Sequence, residues 1–289
     1  MNDSGSIDSH IPSNISPPSI QDFPQEVFEL VVEQLDEGDL LHCHSVCRSW
    51  WRLIRPYLFS TVTISDARRL PAFTEYLEAH TDVGRLTQCL ILDYTLANAA
   101  EITTNAIARV VRRLPRLSEL YILGMASLST GATAETDVAN SSNGMFPHAL
   151  KKLYLSSRLG ARYSYLPIPP LLRVLSLFQV DELHLSCLAA QPSDDIPQDD
   201  GDVPASVSVG HLNVHTSPQS ILQSLSPVLT PGVLRSFGCG WISVSQSQDI
   251  GEFLRIHGPS ITELTLCNAF VSMSQKAGEA HCECFQFLC

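Results

Sequence analysis

Residues 117–122 read LSELYI, with apolar side chains at Leu117, Leu120 and Ile122. The two-residue step from Leu120 to Ile122 is strand alternation, in which every second side chain points to the same face. The pattern L-x-x-L-x-L returns as LKKLYL at 150–155, LRVLSL at 172–177 and ITELTL at 261–266. Weaker copies run through Leu183 and Leu185, Leu212 and Val214, and Leu234 and Phe237. Helical spacing lies between the later copies, in Ile221, Leu222 and Leu225 and in Ile250, Phe253 and Leu254.

Upstream the same alternation holds. Thr61–Ile64 is strand-like, Ala67–His80 carries Leu70, Phe73, Tyr76 and Leu77 on one helical side, 86–92 is a second strand, and Glu101–Arg113 is a second helix. The fold class is therefore α/β over residues 61–269. Two polar stretches, 127–144 and 191–204, read as loop insertions. Residues 1–20 are Ser-, Pro- and Asn-rich without periodicity and read as a disordered arm. Residues 270–289 form a tail that either covers the end of the sheet or closes a shortened chain.

The N-terminal segment differs. Residues 23–59, FPQEVFELVVEQLDEGDLLHCHSVCRSWWRLIRPYLF, speak for three short helices. Pro24 suits a first helical turn, where its missing N–H is not needed. Phe28, Val31, Val32 and Leu35 make one face. Asp39 is placed to cap a second helix carrying Leu40, Cys43, Val46 and Cys47. Trp50, Leu53, Ile54 and Tyr57 line a third. So small an all-α unit, bounded at 21–60, buries little surface, and an apolar face left over is a docking surface.

This segment resembles an F-box. The residues that carry the resemblance are Phe23-Pro24-Gln25-Glu26, Val31, Leu35, Asp39-Leu40 and Val46-Cys47-Arg48-Ser49-Trp50, with Phe23 where the family has Leu. The repeats that follow resemble the degenerate leucine-rich repeats of fungal-type F-box proteins, a solenoid in which each unit buries its apolar face only against its neighbours. The resemblance implies a non-catalytic substrate-receptor subunit of a Skp-cullin-F-box ubiquitin ligase, working in the cytoplasm or nucleus. Its implied contacts with the Skp-type adaptor, and through it a cullin, are Phe23, Pro24, Phe28, Leu35 and Leu40. An interaction scaffold that directs no ubiquitin transfer is the alternative.

Strand alternation places the residues between the leucines on the outer face: Glu119, Tyr121, Lys152, Tyr154, Val174, Ser176, His184, Asn213, Glu263 and Thr265. Glu119, Tyr121, Lys152, Tyr154 and His184 are the candidate contacts for a client protein, since tyrosine is enriched at recognition surfaces.

The chain has 289 residues, 18 Lys plus Arg, 30 Asp plus Glu and a formal net charge of -12. That balance argues against nucleic acid. No apolar run approaches the roughly 18 residues that span a bilayer, and the N-terminus has no basic, apolar start of a secretion signal. Nine cysteines, an odd number, fit reduced thiols. No cofactor is implied. His281, Cys282, Cys284 and Cys289 are zinc-type ligands in poor spacing, and His42, Cys43, His44 and Cys47 read as helix packing. No nucleophile motif such as G-x-S-x-G occurs.

Overall fold

The computed structural model describes residues 24–43, 45–95, 101–125, 127–129, 147–157, 165–166, 168–186, 189–190, 206–215, 218–240, 247–268 and 283–288. The chain divides into two compact units, 1–58 and 59–289.

The first unit contains α1 (Gln25–Val32), α2 (Glu37–Cys43) and α3 (Arg48–Leu58). Phe28, Val32 and Ile54 form its core, with Leu40, Cys43, Trp50, Leu53 and Tyr57 packed around them. The Phe28 ring centroid lies 5.9 Å from that of Trp50 and 6.3 Å from that of Tyr57, the latter pair edge-to-face. The cap of α2 is Asp36 rather than Asp39: the Asp39 N–H donates to Asp36 Oδ1 at 2.8 Å. The helix begins earlier than its apolar spacing suggests, so Asp39 falls inside it.

The second unit is built on a sheet of nine strands among the described residues. β1 (Thr61–Ile64), β2 (Cys89–Asp93), β4 (Glu119–Met125), β6 (His148–Ser157), β8 (Phe178–Ser186), β10 (Ser208–His215), β11 (Ser236–Gly240) and β12 (Glu263–Asn268) lie side by side in chain order. All are parallel, and β13 (Glu283–Leu288) joins β12 antiparallel. Two short parallel pairs stand apart: β3 (Glu101–Thr103) with β5 (Ser127–Ser129), and β7 (Tyr165–Leu166) with β9 (Ala189–Ala190). A doubly wound sheet reverses its strand order. This one does not.

Strand order without reversal, with right-handed crossovers, sends the helices to one face. They are α4 (Arg69–Ala79), α5 (Thr81–Leu86), α6 (Thr104–Arg112), α7 (Ile168–Ser176), α8 (Pro218–Leu225) and α9 (Ser247–His257). Thr103 caps α6, its Oγ1 accepting from the Ala106 N–H at 3.1 Å. Inward side chains line up from strand to strand, as in Leu90, Leu120, Leu153, Leu183, Leu212 and Phe237, each fully buried and packed in one core with the helices.

A second backbone ladder precedes the strands. Ser60 O accepts from the N–H groups of Gln88 and Cys89 at 2.8 and 2.9 Å, Gln88 O from Ser118 and Glu119 at 2.8 and 3.0 Å, and Ser118 O from Lys151 and Lys152 at 2.8 and 3.1 Å. Arg235 O takes Thr262 and Glu263 in the same way, at 2.7 and 3.2 Å. Each unit's approach to its strand is thereby tied to the next, which satisfies backbone donors that sit outside the sheet ladder proper.

Further expectations are corrected, among them Glu101–Thr103, expected in a helix and found as strand β3. LRVLSL is not a strand: Leu172 and Leu175 lie on α7, which begins at Ile168-Pro169-Pro170, and the strand of that unit is β8, through Leu183 and Leu185. Val174, expected on the outer face, is 1% exposed in the core, and Ser176 ends the helix. Residues 81–86 are helix α5, so the second strand begins only at Cys89. Of the first insertion, Ser127–Ser129 is strand β5, while the rest of it and the whole of 191–204 lie outside the described residues.

Candidate docking and recognition surfaces

Helix α1 is apolar on two sides. Phe28 and Val32, one turn apart, enter the helical core, while Val27, Leu30 and Val31 are 42%, 62% and 45% exposed. Leu41 on α2 and Val46 in the following turn are also exposed. An amphipathic helix has one apolar stripe to bury. Here α1 carries a second, which the fold leaves open.

Of the residues expected to meet an adaptor, Pro24 is exposed and its carbonyl accepts from the N–H groups of Val27 and Phe28 at 3.1 and 3.2 Å. Leu35 is half-buried, and Leu40 is half-buried against the helical core. Phe28 is 7% exposed and faces inward. Phe23 lies outside the described residues. Val27 and Leu30 on α1 and Leu41 on α2 were not singled out from sequence, and Val31, expected on the face of Phe28 and Val32, lies on the open stripe, because a helix with two apolar stripes gives no periodic sign of which one is covered.

On the sheet, register brings the outer-face residues into two rows. One runs Cys89, Glu119, Lys152, Glu182, His211, Ser236, Glu263, and the other Ile91, Tyr121, Tyr154, His184, Asn213, Gly238, Thr265. The five residues expected to meet a client are thus neighbours on three adjacent strands. Tyr121 and Tyr154 stack with ring centroids 6.0 Å apart, and Tyr154 and His184 at 5.9 Å. Tyr121 Oη donates to Glu119 Oε2 at 2.9 Å, Lys152 Nζ lies 5.9 Å from the Tyr121 ring centre, and His184 Nε2 is 3.5 Å from Glu182 Oε2.

The electrostatics follow from that crowding. Burial beneath its neighbours, then the hydrogen bond to Glu119, pushes the Tyr121 hydroxyl up to about 12. For His184 burial outweighs the raising effect of Glu182, and Lys152 and His215 act with burial, so its ring titrates below the ordinary histidine range. The ladder carries a neutral imidazole at neutral pH. Beyond His184 the row drops in height: the Asn213 amide lies across Gly238, where a Cβ would collide with Asn213 Oδ1.

Among the described residues no group of three or more His, Cys, Asp or Glu side chains is arranged to hold a metal, and His44, His281, Cys282 and Cys289 are not among those residues. No helix among them is long and apolar enough to cross a membrane.

Together these features define a small helical unit with an uncovered apolar stripe, joined in one chain to a parallel-sheet unit with an aromatic outer face. Residues 20–65 match the family described as F-box-like. No curated protein matches the chain. The F-box-like segment implies docking to a Skp-type adaptor, the step by which such proteins join cullin-based ubiquitin ligases, generally as non-catalytic subunits.

Proposed function

We propose that this chain is a substrate receptor of a Skp-cullin-F-box ubiquitin ligase, acting in the cytoplasm or nucleus. The observation that carries the reading is the second apolar stripe of α1, Val27, Leu30 and Val31, exposed within the F-box-like segment. With Pro24, Leu35, Leu40 and Leu41 it forms the adaptor-binding surface, and Phe28 sets its shape from within. Phe23, next to Pro24 in the sequence, is assigned to the same adaptor contact.

The domain plan of this reading is an arm at 1–20, an F-box at 21–60, a leucine-rich-repeat-like array at 61–269 and a tail at 270–289. Chain-order parallel strands, the inward leucine rows and the repeated carbonyl ladder support the array. Glu119, Tyr121, Lys152, Tyr154 and His184 hold the client. Function then rests on proximity: the receptor raises the effective concentration of client near a conjugating enzyme and needs no catalytic residue or cofactor of its own.

The test is co-purification of the full chain with a Skp-type adaptor and cullin, native against Leu30→Asp with Val46→Asp. Both positions are exposed, so folding should survive. Retention of adaptor by the native chain alone supports the reading, and equal retention by both removes it. Adaptor without cullin would favour the scaffold.

A further inference from the structure

A groove of about 600 Å³ opens between α8 and α9, on the helical side of the sheet unit. Its volume is that of a small-molecule site. Helix α9 supplies one wall at helical spacing: Asp249, Glu252, Phe253, Ile256 and His257. Leu222 and Pro227 stand opposite. Ile256 is 48% exposed although its helix has a buried apolar face to spend it on.

The polar groups of this wall are two carboxylates and the His257 imidazole. Asp249 and Glu252 are carboxylates, Glu252 with its Oε1 3.8 Å from Arg255 Nη2, and among the described residues no lysine or arginine lines the groove itself. Gln223 Nε2 donates to Asp249 Oδ1 at 2.7 Å, but Asp249 Oδ2 is shut from water without a hydrogen-bond partner among the described residues. At the far end His257 is 2% exposed, with Nε2 3.2 Å from the Ser226 carbonyl oxygen. If Nε2 carries the proton for that bond, Nδ1 is left as a bare acceptor, and it too has no partner among the described residues. Asp249 and His257 are eight residues apart on α9, about 12 Å along its axis at roughly 1.5 Å per residue.

A buried carboxylate oxygen with no donor is costly, and so is a buried unpaired ring nitrogen. Both are satisfied by the same object. We propose that the α8–α9 groove binds a small organic cation: an ammonium group at Asp249 and Glu252, and an apolar body along Phe253, Leu222 and Ile256. A hydrogen-bond donor at its other end meets His257. An anion of the same shape is rejected chiefly by the Asp249 carboxylate, which is where the selectivity lies.

The probe is 4-(4-aminobutyl)phenol, whose phenolic O–H is the donor for His257, compared with 4-(4-hydroxybutyl)phenol and 4-(4-hydroxyphenyl)butanoate, three ligands of one skeleton and different charge. Binding to the full-length chain is read by saturation-transfer NMR and titration. The amine should bind at least tenfold tighter than the acid, with the alcohol between them. Asp249→Asn keeps the acceptor for Gln223 and removes the charge, so it should weaken the amine about tenfold and leave the alcohol unchanged. Ile256→Lys, at an exposed position, should abolish amine binding while circular dichroism stays native. Equal binding of amine and acid, no binding of the amine, or indifference to Asp249→Asn in a folded chain would each overturn the proposal.

Discussion

Tyr121 and Tyr154 occupy the same register position on adjacent parallel strands, and their rings stack at 6.0 Å with planes 29° apart. Cross-strand aromatic pairs of this kind contribute about 0.5–1.5 kcal/mol beyond the area they bury. A double-mutant cycle with Tyr121→Leu and Tyr154→Leu, read by urea denaturation, should give a coupling energy of about that size. A coupling near zero would mean the rings are neighbours without being partners, and would weaken the case for a preorganised recognition face.

The Tyr121 hydroxyl, and that of Tyr94 buried in the core, are both pushed up to about 12. For Tyr94 burial is the main cause and the Asp66 charge adds to it. Because the folded values lie above the ordinary 10, the contribution these groups make to stability is complete below pH 10 and is lost as pH rises toward 12. An ultraviolet titration of the folded chain should show late-ionising tyrosine that Tyr121→Phe and Tyr94→Phe each reduce. Glu119→Gln should bring Tyr121 partway back toward 10.

For His184 the sign is opposite. Its folded value lies below the ordinary histidine value, so the stability it carries is present above about pH 6.5 and declines as pH falls through the folded value. Lys152→Met removes one of the charges that oppose protonation. In a two-dimensional NMR titration the His184 ring should then protonate at higher pH than in the native chain. No change would separate the two side chains electrically despite their shared face.

Two glycines should respond in opposite directions to the same substitution. Gly84 on α5 packs against the Arg113 carbonyl, so a Cβ there meets backbone that cannot move aside. Gly251 on α9 has open space. Gly84→Ala should cost about 1–3 kcal/mol through overpacking. Gly251→Ala should stabilise by about 0.5–1 kcal/mol, because alanine is the better helix former. Thermal denaturation decides both.

How much of this was legible beforehand depends on which step of a pattern was diagnostic. In LSELYI and LKKLYL the step of two to Ile122 and Leu155 is a strand step, and both are strands. LRVLSL shows the same letters, yet L-x-x-L is also one helical turn, and Leu171, Leu172, Val174 and Leu175 are all buried on α7. Pro169 and Pro170, tolerated in a first turn but not in a central strand, were the deciding signal. The carbonyl ladder through Ser60, Gln88 and Ser118 had no signal at all, since it is made by backbone atoms that every residue carries. The Tyr121–Tyr154–His184 stack followed from alternation alone once the strands were in register, whereas the α8–α9 groove depends on how two helices diverge, which one-dimensional periodicity does not encode.

Core and surface of the helical unit should separate cleanly. Ile54 is fully buried among Phe28 and Val32, so Ile54→Ala removes contacts and leaves a cavity, at about 2–5 kcal/mol. Leu30, 62% exposed on α1, makes no such contact, and Leu30→Asp should change stability by no more than about 0.5 kcal/mol. Adaptor binding should fall in both, for different reasons: Ile54→Ala through loss of the helical unit, seen in the fluorescence of Trp50 and Trp51, and Leu30→Asp with that fluorescence intact. If Leu30→Asp keeps full adaptor affinity, the open stripe of α1 serves something other than the adaptor, and the search for its partner starts from that helix.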